Sequence, residues 1–218
     1  MAQNDWDAPQ KNEEKYTLKM LLGDIMDIIE AVVVSVFTML LVTTYLLCSV
    51  NVDGSSMNPT LYNEDKLFMW SLGYTPKTGD IVIIQDDEAG HFADAGQVEV
   101  TRTQGAGICL VKRVIAVPGQ TLDIDFKTGS VKRDGELLNE PYIAAPTKDD
   151  GHAFIYPITI PEGYVFVMGD NRMNSKDSRS PEVALVPVEQ ILGHAVLRYD
   201  RNDQLCESWK DRFAILND

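Results

Sequence analysis

Ser56 sits in the run Gly54-Ser55-Ser56-Met57-Asn58-Pro59-Thr60-Leu61, a turn that begins a few residues after Ala31–Val50, a mostly apolar run without a charge. A serine attacks an amide carbonyl only when another group takes its proton, and the usual base is a histidine backed by a carboxylate. The chain has three histidines. His91 lies in a polar stretch, His152 follows Asp149-Asp150-Gly151, and His194 opens an expected strand; none has a motif around it. Each reads as a loop or surface residue. Spacing alone leaves a triad open, because triads assemble from distant segments.

Lysine is the other base available to a serine, but only when burial in apolar surroundings strips its proton. Most lysines here have polar neighbours. Lys112 differs, because it interrupts the β-branched run between Ile108-Cys109-Leu110-Val111 and Val114-Ile115-Ala116-Val117. Side chains alternate along a strand, so in an internal strand either Lys112 or Arg113 points inward. Arginine does not lose its proton, which makes Lys112 the candidate base. An edge strand blunted by a charged pair fits the same residues equally well.

A third cluster, Gly169-Asp170-Asn171-Arg172-Met173-Asn174-Ser175-Lys176-Asp177-Ser178-Arg179, follows the apolar strand Val165-Phe166-Val167-Met168. Asp, Asn and Ser at a strand end hold irregular loops by bonding local backbone. Asp177 and Arg179 are placed to form a buried ion pair that fixes the loop, and Ser175 to bond an uncharged lysine amine. An ordinary polar turn is the plainer alternative, although so many hydrogen-bonding groups in succession exceed what a connection needs.

These residues must be carried by a scaffold, and the chain announces one. The 31–50 run has the length of a transmembrane helix, about 20 residues. It is longer than the core of a cleaved signal peptide, and the leader before it lacks that peptide's basic start. Lys11, Lys15 and Lys19 precede the span while the next base is Lys66, which places the N-terminus in the cytoplasm and the remainder outside it. The expected divisions are a tail and lead-in helix at 1–30, the anchor at 31–50, a catalytic β-domain at 51–200 and a C-terminal tail at 201–218. Beyond the span the sequence turns to short β-type runs between Gly, Pro and Asp signals: 66–70, 81–84, 97–101, 108–117, 121–126, 130–133, 164–168 and 193–199, with one short helix at 187–191. The stretch from Gln85 to Gly107 reads mainly as a polar loop. The expected fold class is mostly β: one N-terminal transmembrane helix followed by an antiparallel β-domain.

The formal charge of −14 excludes a nucleic-acid partner, which requires clustered Lys and Arg, and a large basic patch on anionic lipid. Cys48, Cys109 and Cys206 are too few and too scattered for a metal site or a disulfide framework. Cys48 falls in the expected span. Neither a metal nor another cofactor is expected.

Taken in order, the Ser56-Met57-Asn58-Pro59-Thr60 block, Thr78-Gly79-Asp80-Ile81-Val82, Lys112-Arg113 and the run from Gly169 to Arg179 closely resemble the bacterial type I signal peptidases, over roughly residues 30–200. One block would be weak evidence; four in order behind a membrane span are specific. The resemblance implies a membrane-bound serine endopeptidase that removes signal peptides from exported preproteins through a Ser-Lys dyad. Ser56 would be the nucleophile and Lys112 the general base, with Ser175 orienting the amine and Asp177 and Arg179 bracing the loop. It also implies shallow pockets for small substrate side chains near Val50, Val52, Met57, Leu61, Leu110 and Val111, signal peptides and membrane lipid as partners, and the Ser56 N–H as one oxyanion donor. Some members carry a serine two residues before the nucleophile. Gly54 stands there in this chain, as in the shorter Gram-positive-type enzymes, and Ser55 receives no role.

Two rivals share some of these features. An SOS-repressor-type autoprotease has the dyad but is soluble and carries a DNA-binding segment. A non-catalytic homologue that only binds peptides would lack a dyad residue, and this chain keeps both. A peptidase restricted to pilin-like substrates also remains open, with the Gln85–Gly107 stretch available for that specificity.

Overall fold

The computed structural model describes residues 18–45, 47–94, 96–201, 205–206 and 208–216, so most of the polar leader, residues 1–17, lies outside it. The chain divides into two compact units, residues 1–42 and 43–218.

The first unit is carried by helix α1, Leu18–Tyr45, whose Leu18–Val42 portion is long and apolar enough to cross a membrane and has no buried residues. The helix starts and stops earlier than the expected 31–50 span. Leu47–Asn51 is a strand, β1, paired antiparallel with β2 (Lys66–Trp70). The apolar run is therefore shared between two structures. Cys48 and Val50 pack on the core of the β-domain, and Cys48 is not in the span.

The second unit is the expected antiparallel β-domain. Its larger sheet has eight strands, ordered β1, β2, β11 (Ile191–Asp200), β3 (Ile81–Phe92), β4 (Val100–Ala116), β9 (Tyr164–Met168) and β10 (Val186–Pro187), with β12 (Ala214–Ile215) added on β11. A smaller sheet orders β7 (Glu136–Leu137), β6 (Ser130–Arg133), β5 (Thr121–Asp125) and β8 (Ile158–Thr159). Ile81–Ile84 and Tyr164–Met168 are buried at every position, because both faces of the large sheet are covered there. One core cluster holds Val52, Met57, Leu61, Leu67, Met69, Ile81 and Ile83; another holds Val82, Ile84, Leu110, Val114, Val165 and Val167.

Three expectations change. The polar stretch 85–107 is a long hairpin arm in which β3 and β4 stay paired from Asp86–Ile108 out to Phe92–Val100. The sequence offers a strand there only at 97–101, because the exposed Thr101–Gln104 carry no apolar alternation. The short helix is a single 3-10 turn, Val188–Gln190. The C-terminal tail belongs to the domain: Ala214 and Ile215 pair with Arg198 and Leu197.

Candidate active site

The nucleophile turn is pinned from below. Val52, Met57 and Leu61 are buried in one core cluster, and Val52 exchanges backbone hydrogen bonds with Asp65 and Glu64. Leu61 N–H closes onto Met57 O at 3.0 Å. These anchors leave Ser55 and Ser56 on the side that meets the 169–179 loop. Asn171 N–H donates to Ser56 O at 3.0 Å, Asn171 Nδ2 to Ser55 O at 3.1 Å, and Asn174 Nδ2 to Ser55 Oγ at 3.0 Å. Ser55 therefore has a clasping role that its sequence neighbours did not disclose.

Lys112 Nζ lies 2.9 Å from Ser56 Oγ, and it also donates to Val111 O at 3.0 Å. The lysine is 2% exposed. Its burial lowers the amine from an ordinary value of 10.5 to about 8, against the upward pull of Asp177, Asp86 and Asp170. Arg113, the adjacent residue, is also buried, so the expectation that only one of the pair points inward fails. Alternation presumes one open face, and at this end of β4 neither face is open.

Arg113 grips Asp170 with two bonds, Nε to Oδ1 at 2.9 Å and Nη2 to Oδ2 at 2.8 Å, and its Nη1 donates to Gly79 O. Its guanidinium stacks 4.0 Å over the Tyr142 ring, and Thr60 Oγ1 donates to Asp170. Arg179 grips Asp177 in the same way, at 2.9 Å for both bonds, and Asp177 Oδ2 accepts Gly169 N–H. Arg172 is fully buried against Glu140 and Thr147. The Asp177–Arg179 pair was legible in advance. Arg113, Asp170, Arg172, Glu140 and Thr60 were not assigned, although all but Glu140 sit in the blocks that stood out.

Ser175 does not bond the lysine amine; its buried Oγ has no partner among the described residues. It packs instead on Gly169, where a Cβ would strike both Ser175 Oγ and Ser56 O. Glycine at 169 is what lets the loop approach the nucleophile turn this closely. The amine meanwhile is satisfied by Ser56 and Val111.

The apolar surroundings divide. Val50, Val52, Met57, Leu61 and Val111 share one cluster, while Leu110 packs into the other. Gly54 N–H is committed to Asn63 Oδ1 at 2.8 Å, whereas Ser56 N–H has no partner among the described residues. The three cysteines are free thiols.

A serine hydroxyl touching a desolvated amine on an antiparallel β-domain suits acyl transfer. Comparisons with known proteins agree. The model of the family described as signal peptidase, peptidase S26, matches residues 25–200. The chain is 37% identical over 153 residues to a probable signal peptidase I-1 of Synechocystis sp., covering 68% of each chain. It is 31% identical over 191 residues to a signal peptidase I of Bacillus licheniformis, covering 83% of this chain and 90% of that one. Against signal peptidase I S of Bacillus subtilis it is 32% identical over 179 residues, covering 78% and 85%. A family model spanning most of the chain and relatives above 30% identity along most of their own length place this protein in the signal peptidase family, peptidase S26.

Proposed function

We propose that Ser56 and Lys112 are the catalytic dyad of this signal peptidase, a serine endopeptidase that removes signal peptides from preproteins. The observation that carries the assignment is the 2.9 Å contact between Ser56 Oγ and an amine buried deeply enough to lose its proton near pH 8. Neutral Lys112 takes the Ser56 proton as Oγ attacks the scissile carbonyl. The ammonium then protonates the leaving amine, and the regenerated base activates the water that hydrolyses the ester. Ser175 would orient the amine once Ser56 Oγ is acylated, since its own buried hydroxyl has no partner among the described residues. The Asp177–Arg179 pair braces the loop that carries it.

The free Ser56 N–H supplies one oxyanion donor, and Gly54 N–H, held by Asn63, does not supply the second. The substrate is an extended segment with small residues before the scissile bond, paired beside strands of the domain. Val50 and Val111, half-buried, would form the reachable walls of its pockets, and Val52, Met57 and Leu61 their closed floor. Leu110 contributes from behind β4, by fixing the strand. The helix would anchor the enzyme in the membrane with its N-terminus in the cytoplasm, as the lysine distribution favours, and the β-domain outside.

The test is cleavage of a precursor bearing Ala-x-Ala by the intact protein, Ser56→Ala and Lys112→Ala. Both variants are expected to fold and to be inactive. A folded Lys112→Ala protein with near-normal turnover would remove the dyad.

A further inference from the structure

The β3–β4 arm brings one further carboxyl to the lysine. Val82 pairs with Lys112, Ile84 with Leu110 and Asp86 with Ile108, so Asp86 and Lys112 point to the same face of the sheet. Asp86 is fully buried. Ala106 N–H donates to its Oδ2 at 3.0 Å, while Oδ1 has no partner among the described residues. Its place is fixed by a bulge between Asp86 and Glu88, onto which Gly105 is pressed so closely that a Cβ there would lie 2.6 Å from Asp86 O.

Three carboxylates act on Lys112: Asp177, Asp86 and Asp170. Asp177, the strongest upward pull of the three, and Asp170, the weakest, are each gripped by an arginine. Asp86 has no ion-pair partner among the described residues. The charged groups acting on it are Asp87 on its own strand, Lys112 on β4 and Lys176 on the 169–179 loop.

We infer that Asp86 is a positioning residue for the dyad, its unpaired buried carboxyl setting the pH at which Lys112 becomes a base. The inference rests on the dyad reading above. Burial by itself drives the amine towards neutrality and weakens it as a base; an anion on the same face restores proton affinity. Asp86 is the one of the three that no arginine holds, and burial, which pushes its own pKa up, makes its charge sensitive to the lysine's.

The experiment is the pH profile of kcat/KM for Asp86→Asn in the full chain, beside Asp123→Asn, an exposed carboxylate on β5, as control. Asn keeps an acceptor for Ala106 N–H but no charge. Its acid-limb midpoint should fall by about half a pH unit or more, with a several-fold lower plateau, while the control matches the parent. A lowered plateau with an unmoved midpoint means a structural role only and overturns the inference. Should the variant fail to fold, the parent protein decides, by ¹³C NMR titration of the Lys112 side chain. A second inflection on the acid side of the amine's own supports the coupling; a single inflection overturns it. Lys112→Ala in the same assay separates the levels. If it is inactive and Asp86→Asn keeps the parental midpoint, only this inference fails; if it is active, the dyad itself fails.

Discussion

Lys112 and Arg113 are neighbours on β4, 2% and 3% exposed, and the protein handles their charges in opposite ways. Arg113 is held by both oxygens of Asp170, a backbone carbonyl and a tyrosine face. Lys112 is given a serine oxygen and a carbonyl, and no carboxylate within ion-pair distance among the described residues. The contrast extends through the 169–179 loop, where Arg179 and Arg172 are also paired with acids. A fully compensated cation stays charged and holds backbone in place. An uncompensated one gives up its proton, and in doing so becomes a base. The arginine lattice serves the lysine indirectly, by occupying the carboxylates that would otherwise keep it an ammonium.

The strongest way to break this contrast is to put methionine at each position in turn. Lys112→Met should lower kcat/KM by about 10⁴-fold or more. It should not lower stability. A lysine that loses its proton near pH 8 when folded and near 10.5 when unfolded costs about 3 kcal/mol at neutral pH, and the variant escapes that cost. Arg113→Met should do the reverse, losing about 3–5 kcal/mol in denaturant titrations because Asp170 is left buried without its cation, with only the Thr60 hydroxyl. Comparable destabilisation by both variants would erase the distinction.

The next test uses pH. The folded amine has the lower pKa, so below about 8 both states are protonated and the burial cost is fully present. Between about 8 and 10.5 the unfolded chain holds a proton that the folded one does not, and stability rises with pH through that window. The rise should be missing from Lys112→Met. Activity should climb through the same lower boundary, with the acid limb of kcat/KM centred near 8. A limb centred at the ordinary lysine value, or an equal stability rise in Lys112→Met, would show that Lys112 is not the group being titrated.

Much of this was legible in the sequence, for reasons that also explain the gaps. Ser56 stood out because its turn follows an apolar run, and Lys112 because a charge inside β-branched residues needs a reason. Arg113 was misread because strand alternation describes a sheet with one open face, and β4 passes from an exposed arm into a doubly covered interior within a few residues. Strand β1 was hidden because Leu47, Val50 and the residues between them continue the composition of the helix; only pairing with β2 separates the two. Glu140 and Tyr142 lie in an irregular stretch with no periodicity, and their partners Arg172 and Arg113 come from elsewhere in the chain. Such residues become visible only when the fold closes.

A smaller effect probes how the two regions are joined. Asn171 belongs to the loop that carries the arginine lattice, yet its backbone N–H and side-chain amide both end on the nucleophile turn. Asn171→Ala keeps the first bond and removes the second, leaving Ser55 O without that donor. The loss of one such hydrogen bond should cost about 1 kcal/mol of stability. Because the reacting atoms tolerate little displacement, kcat should fall by about tenfold, with the acid limb still near pH 8 since the lysine's surroundings are intact. If kcat is unchanged, the buried Val52, Met57 and Leu61 together with the remaining Asn171 N–H and Asn174 bonds suffice to hold Ser56 in register. If the limb moves as well, the loop also shapes the lysine's environment, and the two regions are less separate than their charge pairing implies.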